Sequence, residues 1–302
     1  MKTTPAHFYT FTGNLLAERT LTFADWAPGC TQRARAESFQ VGGKGINVSR
    51  MLRRLGERSR ALCFAGGPSG LECTERLRSE GLDFQAFAAD SPTRVGTVVR
   101  GGSQPETTFL GPDASPGAAA VRACADFIDA QDGGLLAICG SVPGWDDASF
   151  DPLRAALERW LGRGPLVADT YGPPLRWLVG RPLALVKINR LEFDGLFPQA
   201  ERGGDLAGRL ASRARSGPPR AWVITDGPGP VQLVDEAGRA DALTPPRVRE
   251  VSATGSGDVL LACLLQARWG RGLALKEAVE FALPYAAAHA AQTSLLPSAP
   301  AK

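Results

Sequence analysis

Short apolar segments alternate with longer helical patterns along almost the whole chain, and this alternation constrains the fold more than any other feature. The clearest helix patterns cover residues 47–55 and 73–80, each next to a strand candidate. The candidate buried strands are residues 7–12, 60–65, 135–139, 166–168, 183–187 and 221–225. Run-like strands separated by helices are typical of a parallel sheet covered on both faces. The sequence therefore predicts an α/β fold with three layers, α/β/α.

A more polar region departs from this alternation. Residues 20–40 are more polar than the rest, and residues 96–100 and 107–110 resemble two exposed strands around a Gly101-Gly102 turn. We expect segments near 14–40 and 94–111 to form a small β lid. No Pro/Gly/Ser-rich linker divides the chain, so we expect one domain over residues 1–302.

Composition excludes several classes of function. The net charge of +3 is too small to indicate a nucleic-acid partner, and the longest apolar runs are too short to span a bilayer. No secretory signal is visible, so we expect a cytoplasmic protein without a membrane partner. The six cysteines form no C-x-x-C pair, which favours reduced core thiols. With only two histidines, neither a histidine-based triad nor a multi-histidine metal site is supported.

Polar or glycine-rich residues follow several of the strand candidates. Gly140-Ser141, Asp169, Asn189 and Thr225-Asp226-Gly227 come directly after or at the end of a buried run. Ligands of open parallel sheets bind outside the carboxyl ends of the strands. These segments therefore predict one ligand site at that edge of the sheet.

A glycine turn with a carboxylate lies near the C-terminal end of the chain. Gly255-Ser256-Gly257-Asp258 precedes an apolar run at residues 259–265, which indicates the start of a buried helix. The free N–H groups and the dipole of a helix start attract phosphate charge, and Asp258 could take a proton from an attacking hydroxyl. Such a base need not be strong, so an aspartate with a lowered pKa would serve. The alternative is an ordinary core helix in which Asp258 only stabilises the first turn.

A second glycine loop, Gly42-Gly43-Lys44-Gly45-Ile46-Asn47, precedes another helix pattern. Its glycines would let a ligand lie against the backbone, and Asn47 could bond hydroxyl groups. The alternative is a plain helix-entry turn with Lys44 in solvent. No G-x-x-x-x-G-K-[ST] motif is present, and no G-x-G-x-x-G follows the first strand, so neither a P-loop nor a dinucleotide site is supported.

The two glycine loops together resemble a known family. Residues 42–48 followed by Arg50 are similar to the N-terminal signature of the PfkB, or ribokinase-like, carbohydrate kinases, and residues 254–258 to their C-terminal signature. They lie about 210 residues apart, in the family's order, and the segments between them also match. The branch with 1-phosphofructokinases and tagatose-6-phosphate kinases resembles this chain most. The resemblance implies the ribokinase-like fold, with ATP and Mg²⁺ as cofactors.

The resemblance also implies a role for each matching residue. Asp258 would be the catalytic base, and the backbone of Gly255, Ser256 and Gly257 the anion hole. The residues implied to bind substrate are Glu18, Gly43, Lys44, Asn47, Arg94 and Ser141, with Arg94 gripping a substrate phosphate. Those implied to bind nucleotide are Lys187, Asn189, Thr225 and Gly227, and those implied to organise the metal are Asn189 and Glu192. Taken singly, Lys187 could merely end a strand, Glu192 could be a helix-start acid and Arg94 a surface charge.

Four positions depart from the family pattern. Glu18 stands where the family has Asp, and its extra methylene would move the carboxylate by about 1 Å. Gly96 replaces an Asn, Pro230 replaces a Gly of the nucleotide loop, and Ser252 stands where ribokinases carry Asp. The catalytic set is intact, whereas the set that faces the sugar has changed.

The sequence therefore predicts an ATP-dependent kinase for a hydroxyl of a sugar or sugar phosphate, similar to phosphofructokinases. Two alternatives stay open. One is a protein of the same fold that binds a sugar or nucleotide without turnover. The other is a kinase for a nucleoside or other non-phosphorylated substrate. Because related lids often pair between subunits, a homodimer through the lid is the expected partner arrangement.

Overall fold

The computed structural model describes residues 7–102, 104–198, 205–219, 221–252 and 254–292. The strands are β1 Phe8–Thr12, β2 Leu16–Thr22, β3 Ala36–Gly42, β4 Ser59–Ala65, β5 Phe84–Ala88, β6 Arg94–Arg100, β7 Thr107–Leu110, β8 Leu135–Cys139, β9 Leu166–Asp169, β10 Leu185–Asn189, β11 Trp222–Thr225, β12 Val231–Val234 and β13 Ala240–Leu243. The helices are α1 Lys44–Arg54, α2 Gly67–Ser79, α3 Ala118–Asp129, α4 Asp151–Trp160, α5 Pro173–Leu178, α6 Arg190–Asp194, α7 Leu206–Arg215, α8 Ser256–Leu265 and α9 Leu275–Ala290.

The main sheet has nine strands in the order β13-β12-β11-β10-β9-β8-β1-β4-β5. Pairing is parallel from β5 to β11, and only β12 and β13 run antiparallel. From β1 the chain continues to β4 and β5 on one side and later to β8 and the following strands on the other. Open α/β sheets bind ligands where the strand order reverses in this way. Cross-strand register brings Thr12, Cys139 and Asp169 to the same carboxyl edge.

Side chains of each central strand alternate between two cores, which makes the three layers. Leu136 and Ile138 of β8 enter a core with Trp160 of α4, on one face of the sheet. Their neighbours Leu135 and Ala137 enter the opposite core with residues of α1, α8 and α9. Burial on both faces explains why these strands are continuous apolar runs. The expected three-layer α/β architecture is confirmed.

Strands β3, β2, β6 and β7 form a separate four-stranded sheet in that order. It uses the segments expected to make a lid, although β2 begins at Leu16 and β6 at Arg94, earlier than the polar patterns indicate. That this sheet covers a bound ligand stays a prediction.

Both predicted helices begin earlier than the sequence pattern indicated. The first pattern covered residues 47–55, whereas α1 covers Lys44–Arg54. The second pattern indicated a helix over residues 73–80, whereas α2 begins at Gly67 and ends at Ser79. Gly66, Gly67 and Pro68 resemble a loop, but a proline at the first turn of a helix loses no hydrogen bond.

Two expectations from composition can be compared with the structure. Within the described ranges, no helix is long and apolar enough to cross a membrane. Five cysteines are buried and unpaired, and only Cys30 is exposed, as expected for reduced core thiols.

Candidate active site

The two glycine loops meet at Asp258. Helix α8 begins at Ser256, and Gly255 precedes it with a left-handed backbone, φ +84°. Asp258 lies in the first turn of α8 and is only 6% exposed. Its Oδ2 accepts a hydrogen bond of 2.8 Å from Nδ2 of Asn47, in the first turn of α1. A residue from each loop therefore contributes to one site, although they are far apart in the sequence.

A cluster of buried charges lies beside this pair. Lys187 Nζ is 2.7 Å from Asp169 Oδ2, and both side chains are almost fully buried. Lys44 Nζ lies 3.0 Å from Asp169 Oδ1 and 3.2 Å from Glu192 Oε1. Each charge of this cluster thus has an opposite charge in contact, as burial in a low-dielectric interior requires. Asp169 binds both lysines and is the centre of the cluster.

The surroundings push the pKa values of the two buried aspartates in opposite directions. Burial raises the pKa of Asp258 to about 6, the Asp169 charge adds to this, and Lys44 and Asn47 oppose it. Burial alone would also raise the pKa of Asp169, but Lys187 and Lys44 reverse the effect and lower it. The pKa of Asp258 is therefore raised, whereas from the sequence we only allowed for a base with a lowered one. A carboxylate with a pKa near neutrality is suited to accept a proton from a hydroxyl.

The start of α8 also provides backbone donors next to a cation. The N–H groups at a helix start have no carbonyl partner within the helix and bear partial positive charge. A Cβ placed on Gly257 would lie 3.0 Å from Lys187 Nζ, which shows how closely the ammonium approaches this turn. Backbone donors and Lys187 together can therefore hold an anion beside Asp258.

Asn189 and Glu192 form a capping box that begins α6. Asn189 Oδ1 accepts from the Glu192 N–H at 2.8 Å, and Glu192 Oε2 accepts from the Asn189 N–H at 2.9 Å. The other carboxylate oxygen of Glu192 contacts Lys44. The helix-start role weighed for Glu192 in the sequence is thus present, while the same carboxylate belongs to the charge cluster.

The described residues contain no group of three or more His, Cys, Asp or Glu side chains that could hold a metal ion. Asp169 and Glu192 do bring two carboxylates to a single cation, Lys44. Mg²⁺ prefers oxygen ligands and is commonly held by one or two carboxylates together with substrate phosphates. The residues present therefore fit a magnesium ion that arrives with a nucleotide.

Arg94 and Ser141 belong to a second polar group. Arg94 Nη1 donates to Asp113 Oδ1 at 2.8 Å. Asn14 Nδ2 donates to the same Asp113 oxygen at 2.8 Å and to Ser141 Oγ at 2.9 Å. Arg94 and Asn14 also line a small pocket with Thr93 and Gly13. Sequence reasoning missed Asp113 entirely, because it lies in no motif.

Glu18 lies in the four-stranded sheet and not in the charge cluster. It is paired across the strands with Gln40 and Gly96, and its carboxylate accepts a hydrogen bond from the Gln40 side chain. Glu18 and Gly96, both departures from the family pattern, are therefore direct neighbours.

Thr225 and Gly227 lie at the carboxyl end of the sheet, beyond Asn189. Thr225 ends β11 and is in register with Asn189 of β10. Gly227 has φ +54° and faces open space, since no atom lies within 4 Å of a Cβ placed there. Asp226 between them pairs with Arg190. Asn189 and Glu192 also line a pocket of about 370 Å³, together with Tyr171, Gly172, Leu175, Arg176, Leu191, Gly195 and Leu196.

The pfkB family carbohydrate kinase model matches residues 16–302 of the chain. The chain belongs to the pfkB family of carbohydrate kinases. It is 27% identical over 273 residues to a 1-phosphofructokinase of Bacillus subtilis, which covers 89% of this chain and 88% of the relative. Membership of this family makes the protein a kinase and implies ATP as its co-substrate.

Two solved structures show the fold. A single-residue mutant of phosphofructokinase-2 from Escherichia coli superposes with a TM-score of 0.87 at 23% identity, over 97% of this chain and 96% of that one. A ribokinase of Thermotoga maritima has a TM-score of 0.76 at 18% identity, over 97% and 96%. The expected ribokinase-like fold of this pfkB-family kinase is therefore confirmed.

Proposed function

We propose that this kinase transfers the γ-phosphoryl group of ATP to a hydroxyl of a sugar phosphate, with Asp258 as the general base. One observation carries the proposal. Asp258 is buried at the start of α8 and accepts a hydrogen bond from Asn47 of the other glycine loop. The charges of Asp169 and Lys187 act on its carboxylate, and Lys187 approaches the neighbouring Gly257. A proton acceptor, a cation and a helix start that would hold an anion would thus lie together, as phosphoryl transfer to an alcohol requires.

The acceptor hydroxyl would lie against Asp258, oriented with help from Asn47 and Gly43. Asp258 would take the hydroxyl proton on its carboxylate as the oxygen attacks. The backbone of Gly255, Ser256 and Gly257 would hold the oxygens of the transferring group. Lys187 would stabilise the negative charge there without moving, because Asp169 already fixes its ammonium.

Glu192 and Asp169 would hold Mg²⁺, with Asn189 organising its water ligands, and the ion would neutralise phosphate charge when bound. Thr225 and Gly227 would lie along the nucleotide at the open carboxyl end of β11. Lys44, which contacts both carboxylates, would link the metal side of the site to the sugar side.

Two features support a phosphorylated acceptor. Arg94 and Asn14 line one small pocket and share Asp113, so Arg94 would gain a substrate phosphate in place of that carboxylate. The Bacillus subtilis relative is named for a sugar-phosphate substrate.

Ser141 and Glu18 would contact sugar hydroxyls, and Glu18 beside Gly96 favours a sugar other than the relative's. The four-stranded sheet would close over this site as a lid and pair with a second subunit.

An ADP-release assay across hexose phosphates, pentoses and nucleosides tests the proposal. We expect turnover with a sugar phosphate. An Arg94→Ala variant should raise KM for that substrate at least tenfold while KM for ATP stays within twofold. ATP binding without turnover of any acceptor would contradict the proposal and favour a binding protein. Turnover of a nucleoside that is insensitive to Arg94→Ala would favour the uncharged-substrate alternative.

A further inference from the structure

His289 lies in the last turn of α9 and contacts the loop that leads into α8. The side chain is 2% exposed, and its Nε2 is 3.0 Å from the backbone oxygen of Thr254. The same end of α9 holds the start of that loop, because the N–H groups of Val251 and Ser252 both donate to the Ala290 carbonyl, at 2.8 and 3.1 Å. The end of α9 therefore fixes the chain just before Gly255.

The peptide group between Thr254 and Gly255 connects this contact to the proposed anion hole. The carbonyl of Thr254 and the N–H of Gly255 belong to one planar trans peptide, in which they point in opposite directions. A hydrogen bond that holds the Thr254 oxygen toward His289 therefore holds the Gly255 N–H in the opposite direction. Gly255 cannot set this orientation by itself, since a residue without Cβ has the widest backbone freedom.

The protonation state of the ring follows from its two nitrogens. A carbonyl oxygen only accepts, so Nε2 must carry the proton. Nδ1 is buried and has no hydrogen-bond partner among the described residues, which suits an unprotonated nitrogen. Burial lowers the pKa of His289, with Arg54 acting in the same direction and the Thr254 carbonyl opposing. The ring is therefore a neutral donor at physiological pH.

We propose that His289 is a positioning residue that orients the Gly255 N–H of the anion hole through the Thr254 carbonyl. This inference rests on the proposed function, because it concerns the same phosphoryl site. The residue does not touch substrate in this arrangement. A core histidine with a satisfied Nε2 and no such role is the alternative, and the two differ in what a substitution does to kcat.

The test compares His289→Leu with His289→Gln. Both remove the ring, but only the glutamine amide can still donate to the Thr254 oxygen. We expect His289→Leu to lose about tenfold or more in kcat with KM for ATP and sugar within threefold, since a misdirected donor acts on the transition state. His289→Gln should restore kcat to within threefold of wild type. Leu283→Ala, which opens a cavity on the same helix, is the control that should lower Tm and leave kcat within twofold.

A second measurement decides the inference even where no acceptor is turned over. In ¹⁵N-glycine-labelled protein, His289→Leu should shift the amide resonance of Gly255, and His289→Gln should return it toward the wild-type position. Unchanged kcat and an unchanged Gly255 resonance in His289→Leu would overturn the inference. So would a His289→Gln variant as impaired as His289→Leu. Absence of wild-type turnover, by contrast, would contradict the proposed function alone.

Discussion

At the residue scale, the protonation of Asp258 controls the proposed reaction. Its pKa is raised to about 6, chiefly by burial, so half of the carboxylates are protonated near that pH. A protonated Asp258 cannot accept the hydroxyl proton. We therefore expect kcat/KM to fall as the pH decreases below about 6, approaching tenfold per unit. A pH profile of kcat/KM, measured by ADP release with the coupling enzymes in excess, checks this. A flat profile between pH 5 and 7 would contradict the assignment.

The same shift predicts a stability effect of opposite sign. Because the folded pKa is above the unfolded value of 3.8, the stability that Asp258 contributes is present below pH 3.8 and lost as the pH rises through about 6. At pH 8 the ionised side chain is a cost to folding. We expect Asp258→Asn to be at least as stable as wild type in urea at pH 8, with Asp241→Asn as a surface control. A lower midpoint for Asp258→Asn alone would contradict this account.

Asp169 is the residue whose loss should cost most stability. It is 0% exposed and accepts from both Lys187 and Lys44. Asp169→Asn leaves a buried ammonium without its counter-charge, which costs about 3 kcal/mol of unfolding free energy or more. Asp241→Asn, which breaks the half-exposed pair with Lys276, should cost less than about 1 kcal/mol. Urea unfolding of both variants measures the difference, and equal losses would show that the cluster is not needed for stability.

Sequence reasoning reached some of these residues and not others. Asp258 and Asn47 were found because each lies in a glycine signature, and Lys187 because it lies in a matched motif. Asp169 was placed at a strand end, but its contact with two lysines could not be predicted, since Lys44 is 125 residues away. Asp113 had no signal, because its partners Arg94 and Asn14 come from other segments and meet only in the fold.

At the element scale, the packing of α1 against β1 sets the position of Asn47. A Cβ placed on Gly45 would lie 2.5 Å from Thr12 Oγ1 and 2.9 Å from the Phe11 carbonyl oxygen. Gly45→Ala must therefore push α1 away from β1 and move Asn47 from Asp258. We expect a lower Tm and a loss of kcat/KM of at least tenfold. Gly162→Ala, where the nearest atom is 3.6 Å away, is the matched control and should change neither.

Elements were predictable where burial is two-sided and less so elsewhere. Strands β8 and β11 are short runs of apolar residues that no polar pattern interrupts, so their positions agree with the sequence to within a residue. The start of α2 was missed because Gly67 and Pro68 conceal it. Strands β2 and β3 were not delimited, because their side chains are partly exposed and lack a continuous apolar run.

At the scale of the whole molecule, the outer part of the four-stranded sheet exposes apolar side chains. Phe109 is 57% exposed, Leu110 52% and Val95 47%. Exposed apolar groups on one sheet are typical of an association surface. We expect sedimentation to show a dimer that Phe109→Asp converts to monomer, while Leu71→Asp on α2 has no effect. A monomeric wild type at micromolar concentration would contradict the pairing of lids.

The central claim is that Asp258 removes the proton in phosphoryl transfer, and single-turnover transfer from ATP in Asp258→Asn tests it most directly. Asparagine keeps the shape and the contact with Asn47 but cannot accept a proton at that rate. With the acceptor found for the wild type, the account predicts at least a thousandfold slower transfer with nucleotide binding unchanged. Transfer within tenfold of the wild-type rate would contradict it.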